Sequence, residues 1–118
     1  MDAASALADL TEISSQVEAA AVLSADGTIV ASTLDDAARN ERLVRAAGEL
    51  LAAGDGIAGE RKLTQLEAAL RGGSVFVVRD GERAIVATTT PAPTSGLVFY
   101  DLQTCLRSVV EKPAPKPR

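Results

Sequence analysis

Histidine is absent from the 118-residue chain. That absence removes histidine general acid–base chemistry, nucleophile–histidine triads and nearly all transition-metal sites together. Cysteine occurs once, as Cys105, which is not the usage of a disulfide-stapled secreted domain. No apolar run approaches the length of a bilayer span or a secretory signal, so a cytoplasmic protein is expected. Aromatic residues make up only 3% of the chain, against 47% apolar residues drawn mostly from Ala, Val and Leu. The core must therefore close by tight packing of small side chains. A net charge of −4 opposes attraction to a phosphate backbone, which argues against nucleic acid as a partner. The three basic residues of the C-terminal tail, Lys112, Lys116 and Arg118, are too few for firm membrane attachment.

What is present reads as one α/β domain. Leu7, Leu10, Ile13 and Val17 recur at three- and four-residue intervals and predict a first amphipathic helix from Ala3 to Val17. Ala20–Leu23 and Thr28–Ser32 flank Ala25-Asp26-Gly27, the dipeptide signal of a tight β-hairpin. Asp35 and Asp36 then supply acceptors for a helix start, and a second helix runs from Ala37 to about Ala53. Its stripe of Leu43, Ala47, Leu50 and Leu51 adjoins a small-residue surface of Val44, Gly48 and Ala52, which suggests two packing partners. Gly54, Gly56 and Gly59 are expected to terminate it.

Three strands follow in the prediction, Leu63–Leu70, Ser74–Arg79 and Arg83–Thr88, joined by turns at Gly72-Gly73 and Asp80-Gly81. Two prolines make Thr89–Gly96 a loop, and Leu97 to Val110 marks a third helix. The domain is thus placed at residues 1–111, with a disordered Pro/Lys tail over residues 112–118. Val75–Val78 and Ala84–Ala87 are apolar on both faces, which implies a five-stranded antiparallel sheet with helices on both sides.

No motif carries chemistry. Gly54-x-Gly56-x-x-Gly59 spells a dinucleotide fingerprint but follows a helix instead of a strand, so a helix-terminating loop is the better reading than a phosphate site or contact loop. No Gly-x-x-x-x-Gly-Lys-Ser/Thr sequence exists, so the chain does not look like a GTPase. Cys105 lies among Leu102, Leu106 and Val109 with no histidine to activate it, which reads as a small buried hydrophobe. Asp26 and Asp80 precede turn glycines, and turn chemistry explains both. Arg39, Arg42 and Arg45 read as a solvated helix face before they read as groups reaching into a phosphoryl-transfer site. No catalytic residue, cofactor or metal is therefore expected.

The element order resembles the Roadblock family of dynein-light-chain-type domains, whose fold is profilin-like. The residues that carry the resemblance are Val22-Leu23-Ser24-Ala25-Asp26-Gly27 with Ile29-Val30-Ala31, the Ala-rich second helix, and Gly96-Leu97-Val98-Phe99-Tyr100-Asp101-Leu102. It covers the chain from Leu7 to Val110. What it implies is a homodimer built by pairing of the third strand and packing of the second helices. Val44, Gly48, Leu51, Leu63, Gln65, Leu66 and Glu67 would then stand at the interface. It further implies a small Ras-like GTPase as partner, held or modulated across the paired helices through Arg42, Arg45, Ala46, Glu49 and Ala53. The competing reading is a small-molecule sensor of similar three-layer shape. The scarcity of aromatic and buried polar residues counts against its ligand pocket.

Overall fold

The structure is a computed structural model, described for residues 1–59 and 63–109. Its order is α1 (Ala3–Ile13), β1 (Val17–Leu23), β2 (Ile29–Ser32), α2 (Ala37–Ala58), β3 (Gln65–Leu70), β4 (Gly73–Asp80), β5 (Arg83–Thr89) and α3 (Ser95–Ser108). The strands form one antiparallel sheet in the order β2-β1-β5-β4-β3, so the most apolar strands take the middle and the two weakest the edges. This is the α-β-β-α-β-β-β-α three-layer arrangement the sequence predicts. The expected tail over residues 112–118 lies outside the described residues.

Alternation along the strands sorts the core into two clusters. Ala20, Val22, Phe76, Val78, Ile85 and Ala87 face α1 and α3, where they meet Leu7, Leu10, Val98, Leu102 and Leu106. Phe99 closes this layer edge-on against Phe76, with ring centroids 4.9 Å apart. Ala21, Leu23, Val75, Val77 and Val86 face the other way, toward Leu43 and Ala47 of α2. Cys105 is buried in the first cluster, where its Sγ lies 3.4 Å from the Ala6 carbonyl oxygen. Burial, with a smaller contribution from the nearby Asp9 carboxylate, pushes its thiol up to about 11.

Several predicted boundaries shift. Helix α1 ends at Ile13, not Val17: Ser14 turns extended, its amide donates to the Leu10 carbonyl, and Val17 opens β1. Strand β3 starts at Gln65, two residues after Leu63. The largest difference is in α2, which does not stop at Gly54 but continues to Ala58, with Gly59 (φ 68) as its cap. Gly54 is a helical residue whose missing side chain matters: a Cβ there would run into the Leu66 and Leu63 side chains. The glycine lets the helix approach β3 closely instead of ending it. At its other end α3 begins at Ser95, earlier than Leu97.

The loop before α3 is tied to the start of β1. The Gln16 carbonyl accepts from the Thr90 amide at 3.1 Å, and Gln16 Oε1 accepts from the Thr94 amide at 2.6 Å. Both bonds fix where α3 enters, and therefore which of its residues reach Phe76.

Candidate functional site

Helix α2 is alone on its side of the sheet. It starts beside β2, where Asp36 caps it by accepting from the Ala38 amide and the Ser32 hydroxyl donates to Asn40 Oδ1. Fourteen residues on, Gly54 lies against Leu66 of β3. At about 1.5 Å per residue that is roughly 21 Å, close to the width of five strands spaced about 4.8 Å apart. The helix is therefore long enough to span the sheet, packs chiefly on β3, β4 and β5, and reaches the open edge with its last turn.

The crossing divides the α2 residues by exposure. Leu43, Ala47, Gly54 and Ala58 are buried against the sheet, while Leu50 and Leu51 flank them half-buried. On the outer side Arg42, Arg45, Glu49 and Ala53 are exposed, and Ala46 is half-buried. These five fall three, one, three and four residues apart, which is one helical stripe, so the structure brings them together as a continuous surface. Arg45 meets Glu41 one turn away at 3.8 Å, a pair exposed enough to contribute little to stability and to open readily.

The residues expected at a subunit interface divide differently. Val44, Leu51 and Leu66 are half-buried and already pack against the α2-side core. Gly48 is exposed, with open space where a Cβ would project. Leu63 is half-buried beside Gly54, and Gln65 is exposed on β3. Glu67 is exposed on the opposite face of β3 from Leu66, where its carboxylate accepts from the Ser95 hydroxyl at 2.8 Å. That places a negative charge at the positive end of the α3 dipole.

One arrangement at this corner has no sequence signal. The Arg79 guanidinium of β4 donates to Asp55 Oδ1 at 2.9 Å and to the Leu63 carbonyl at 2.8 and 3.1 Å. It ties the last turn of α2 to the chain entering β3. The Arg79 hydrogen bonds hold the Asp55 carboxyl below its usual range, the charge attraction adding a smaller share. A partner 24 residues away leaves no local pattern to read.

Among the described residues no group of three or more Cys, Asp or Glu side chains is placed to hold a metal ion. No described helix is long and apolar enough to cross a membrane. The arrangement offers a charged helix stripe beside an open strand edge.

Comparison with known proteins agrees on architecture. A search of curated protein sequences found no significant match. Among solved structures, a Roadblock/LC7 domain from Streptomyces avermitilis superposes with a TM-score of 0.78 at 17% identity, over 92% of this chain and 94% of that one. The gliding protein MglB from Thermus thermophilus gives 0.71 at 15% identity, over 87% of this chain and 82% of that one. LokiProfilin2, from its complex with rabbit actin, gives 0.59 at 18% identity over 88% and 92%. At those identities the neighbours establish a profilin-like fold. The sequence itself matches the Roadblock/LC7 domain over residues 4–90, most of its length, and the chain belongs to that family.

Proposed function

We propose that this chain is a homodimeric protein-binding module that holds a small Ras-like GTPase across its paired α2 helices, as scaffold or as modulator of nucleotide turnover. The observation that carries the reading is the α2 stripe of Arg42, Arg45, Ala46, Glu49 and Ala53. It is turned away from the sheet, on a helix no other helix covers, in a Roadblock/LC7 domain. Mixed charges there set orientation and encounter rate, and the alanines permit close approach. The sensor alternative needs a ligand cavity between sheet and helices. Phe76, Ile85, Leu102 and Leu106 fill the larger of the two layers, so the binding module is preferred.

Ala46→Arg tests the surface. A long cationic side chain at a close contact is expected to abolish capture of the co-purifying GTPase while the circular dichroism spectrum stays that of the native fold. Nucleotide analysis of the captured protein identifies the partner class. Capture unchanged by the substitution would move the partner surface elsewhere.

A further inference from the structure

We infer that the basic proline segment of residues 112–118 folds back along the seam between α1 and α3 and docks there antiparallel to α3, with Lys116 and Arg118 meeting the carboxylates of Asp9, Glu12 and Asp101. The seam lies on the opposite side of the sheet from the α2 stripe, so the inference stands apart from the partner reading above.

Two contacts fix how the helices align. The Ser108 hydroxyl lies 3.9 Å from Met1 Sδ, and Cys105 Sγ lies 3.4 Å from the Ala6 carbonyl oxygen. As α1 runs forward α3 runs back, so the two are antiparallel. One turn beyond the Ala6–Cys105 contact come Asp9 on α1 and Asp101 on α3, and one further turn brings Glu12 and Ile13 opposite Leu97. Ile13 is 71% exposed and Leu97 49%. The seam thus carries carboxylates along its middle and bare apolar side chains at its far end. Among the described residues none of the three carboxylates has a cationic partner. Helix α1 holds no basic residue, and Arg107 of α3 is paired with Asp80 at 3.5 Å.

The segment matches this seam in charge and in length. Lys112, Lys116 and Arg118 are cations, and residues 112–118 hold no anion in a chain that is net negative. Proline at 113, 115 and 117 biases the residue before each to extended backbone, at about 3.1 Å per residue. From Lys112 to Arg118 the segment then spans about 19 Å. From Ser108 back to Leu97, α3 rises about 16 Å. With residues 110 and 111 reversing the chain, Lys116 comes level with Asp101, and Arg118 with Glu12 and Leu97. The prolines leave less backbone freedom to lose on docking, and the short tether raises the effective concentration, so a few exposed ion pairs suffice. The α2 stripe offers no rival site, because Arg39, Arg42 and Arg45 on its first half repel the same cations.

A spin label on Pro117→Cys in the full chain reads where the segment rests, since native Cys105 is buried and stays unlabelled. The amide signals of Glu12, Ile13 and Leu97 are expected to lose at least about half their intensity and to recover in about 0.5 M salt, where exposed ion pairs are screened. Loss spread evenly around the end of α3, or centred on α2, overturns the docking. Spin-labelled chain is then mixed with isotope-enriched chain that carries no label. The same loss in the enriched chain would assign the seam to the segment of another copy and overturn the fold-back. Charge reversal by Lys116→Glu with Arg118→Glu should abolish the loss. Adding Asp9→Lys with Glu12→Lys, both exposed positions, should restore it. Failure to restore overturns the pairing.

Discussion

The two faces of the sheet are built to different standards. The α1/α3 face is covered by two helices and closed by Phe76, Leu102 and Leu106, all fully buried. The α2 face is crossed by one helix, and much of its apolar lining, including Leu50, Leu51, Val44 and Leu66, is only half-buried. The closed face can supply most of the stability of the monomer. The open face leaves apolar area partly in water, and its helix presents the charged stripe. On the binding-module reading proposed above, this division would let the domain offer a partner a large surface without losing its fold.

The sharpest way to break that comparison is to remove the same group from each side. Leu102→Ala on the closed face should cost about 3–5 kcal/mol in denaturant unfolding, a lost side chain plus an unfilled cavity. Leu50→Ala on the open face, already partly in water, should cost no more than about half of that. Equal losses measured on monomer would show that both faces carry the fold alike.

Two glycines of α2 sharpen it within a single helix. Gly54→Ala drives a methyl group against the terminal methyls of Leu63 and Leu66, which must shift, and that displacement offsets the helix propensity gained. Gly48→Ala meets nothing within 4 Å and should stabilise the monomer by about 0.5–1 kcal/mol through helix propensity. A melting temperature lower for Gly54→Ala than for Gly48→Ala marks where the helix touches the sheet and where it faces outward.

The layers of this fold were legible in the sequence because period-2 and period-3.6 patterns record which face of an element is covered. Val75–Val78 and Ala84–Ala87 announced a sheet buried on both sides, and the structure places them in the two central strands nearest β3. Gly54 misled for a physical reason. A glycine after a helical run signals a cap by its backbone freedom, yet here it is selected by the absence of a side chain against a strand that comes later in the chain. The Arg79–Asp55 contact was hidden for the same reason, since tertiary proximity has no period. The family resemblance, and not spacing, grouped Arg42, Arg45, Ala46, Glu49 and Ala53, and the helix geometry does bring them onto one side. Spacing could not say that Val44 and Leu51 are already half committed to the core of their own subunit.

The Arg79 contact predicts a measurable difference at the open face. With Arg79→Ala the Asp55 carboxyl loses the hydrogen bonds that hold its titration down and should rise toward its ordinary range, read from its side-chain NMR shift. Both groups are partly in water, so the change in stability should be small beside that of Leu102→Ala. An Asp55 titration left in place would assign its depression to another cause.

The smallest expected effect lies at the β1–β2 turn, far from either helix layer's centre. Asp26 accepts from the Ser24 hydroxyl at 2.5 Å and from the Thr28 amide at 3.0 Å, and these bonds hold its carboxyl down to about 2 from 3.8. A carboxyl lowered on folding favours the folded state fully above its unfolded value and loses that contribution as pH falls toward its folded one. The window is therefore about pH 4 to 2. Asp26→Asn should lower the melting temperature slightly at neutral pH, and the gap to the unsubstituted protein should close by about pH 2. A gap that persisted there would mean the turn relies on the shape of the side chain, with its charge irrelevant, and the β2 edge would then owe nothing to electrostatics.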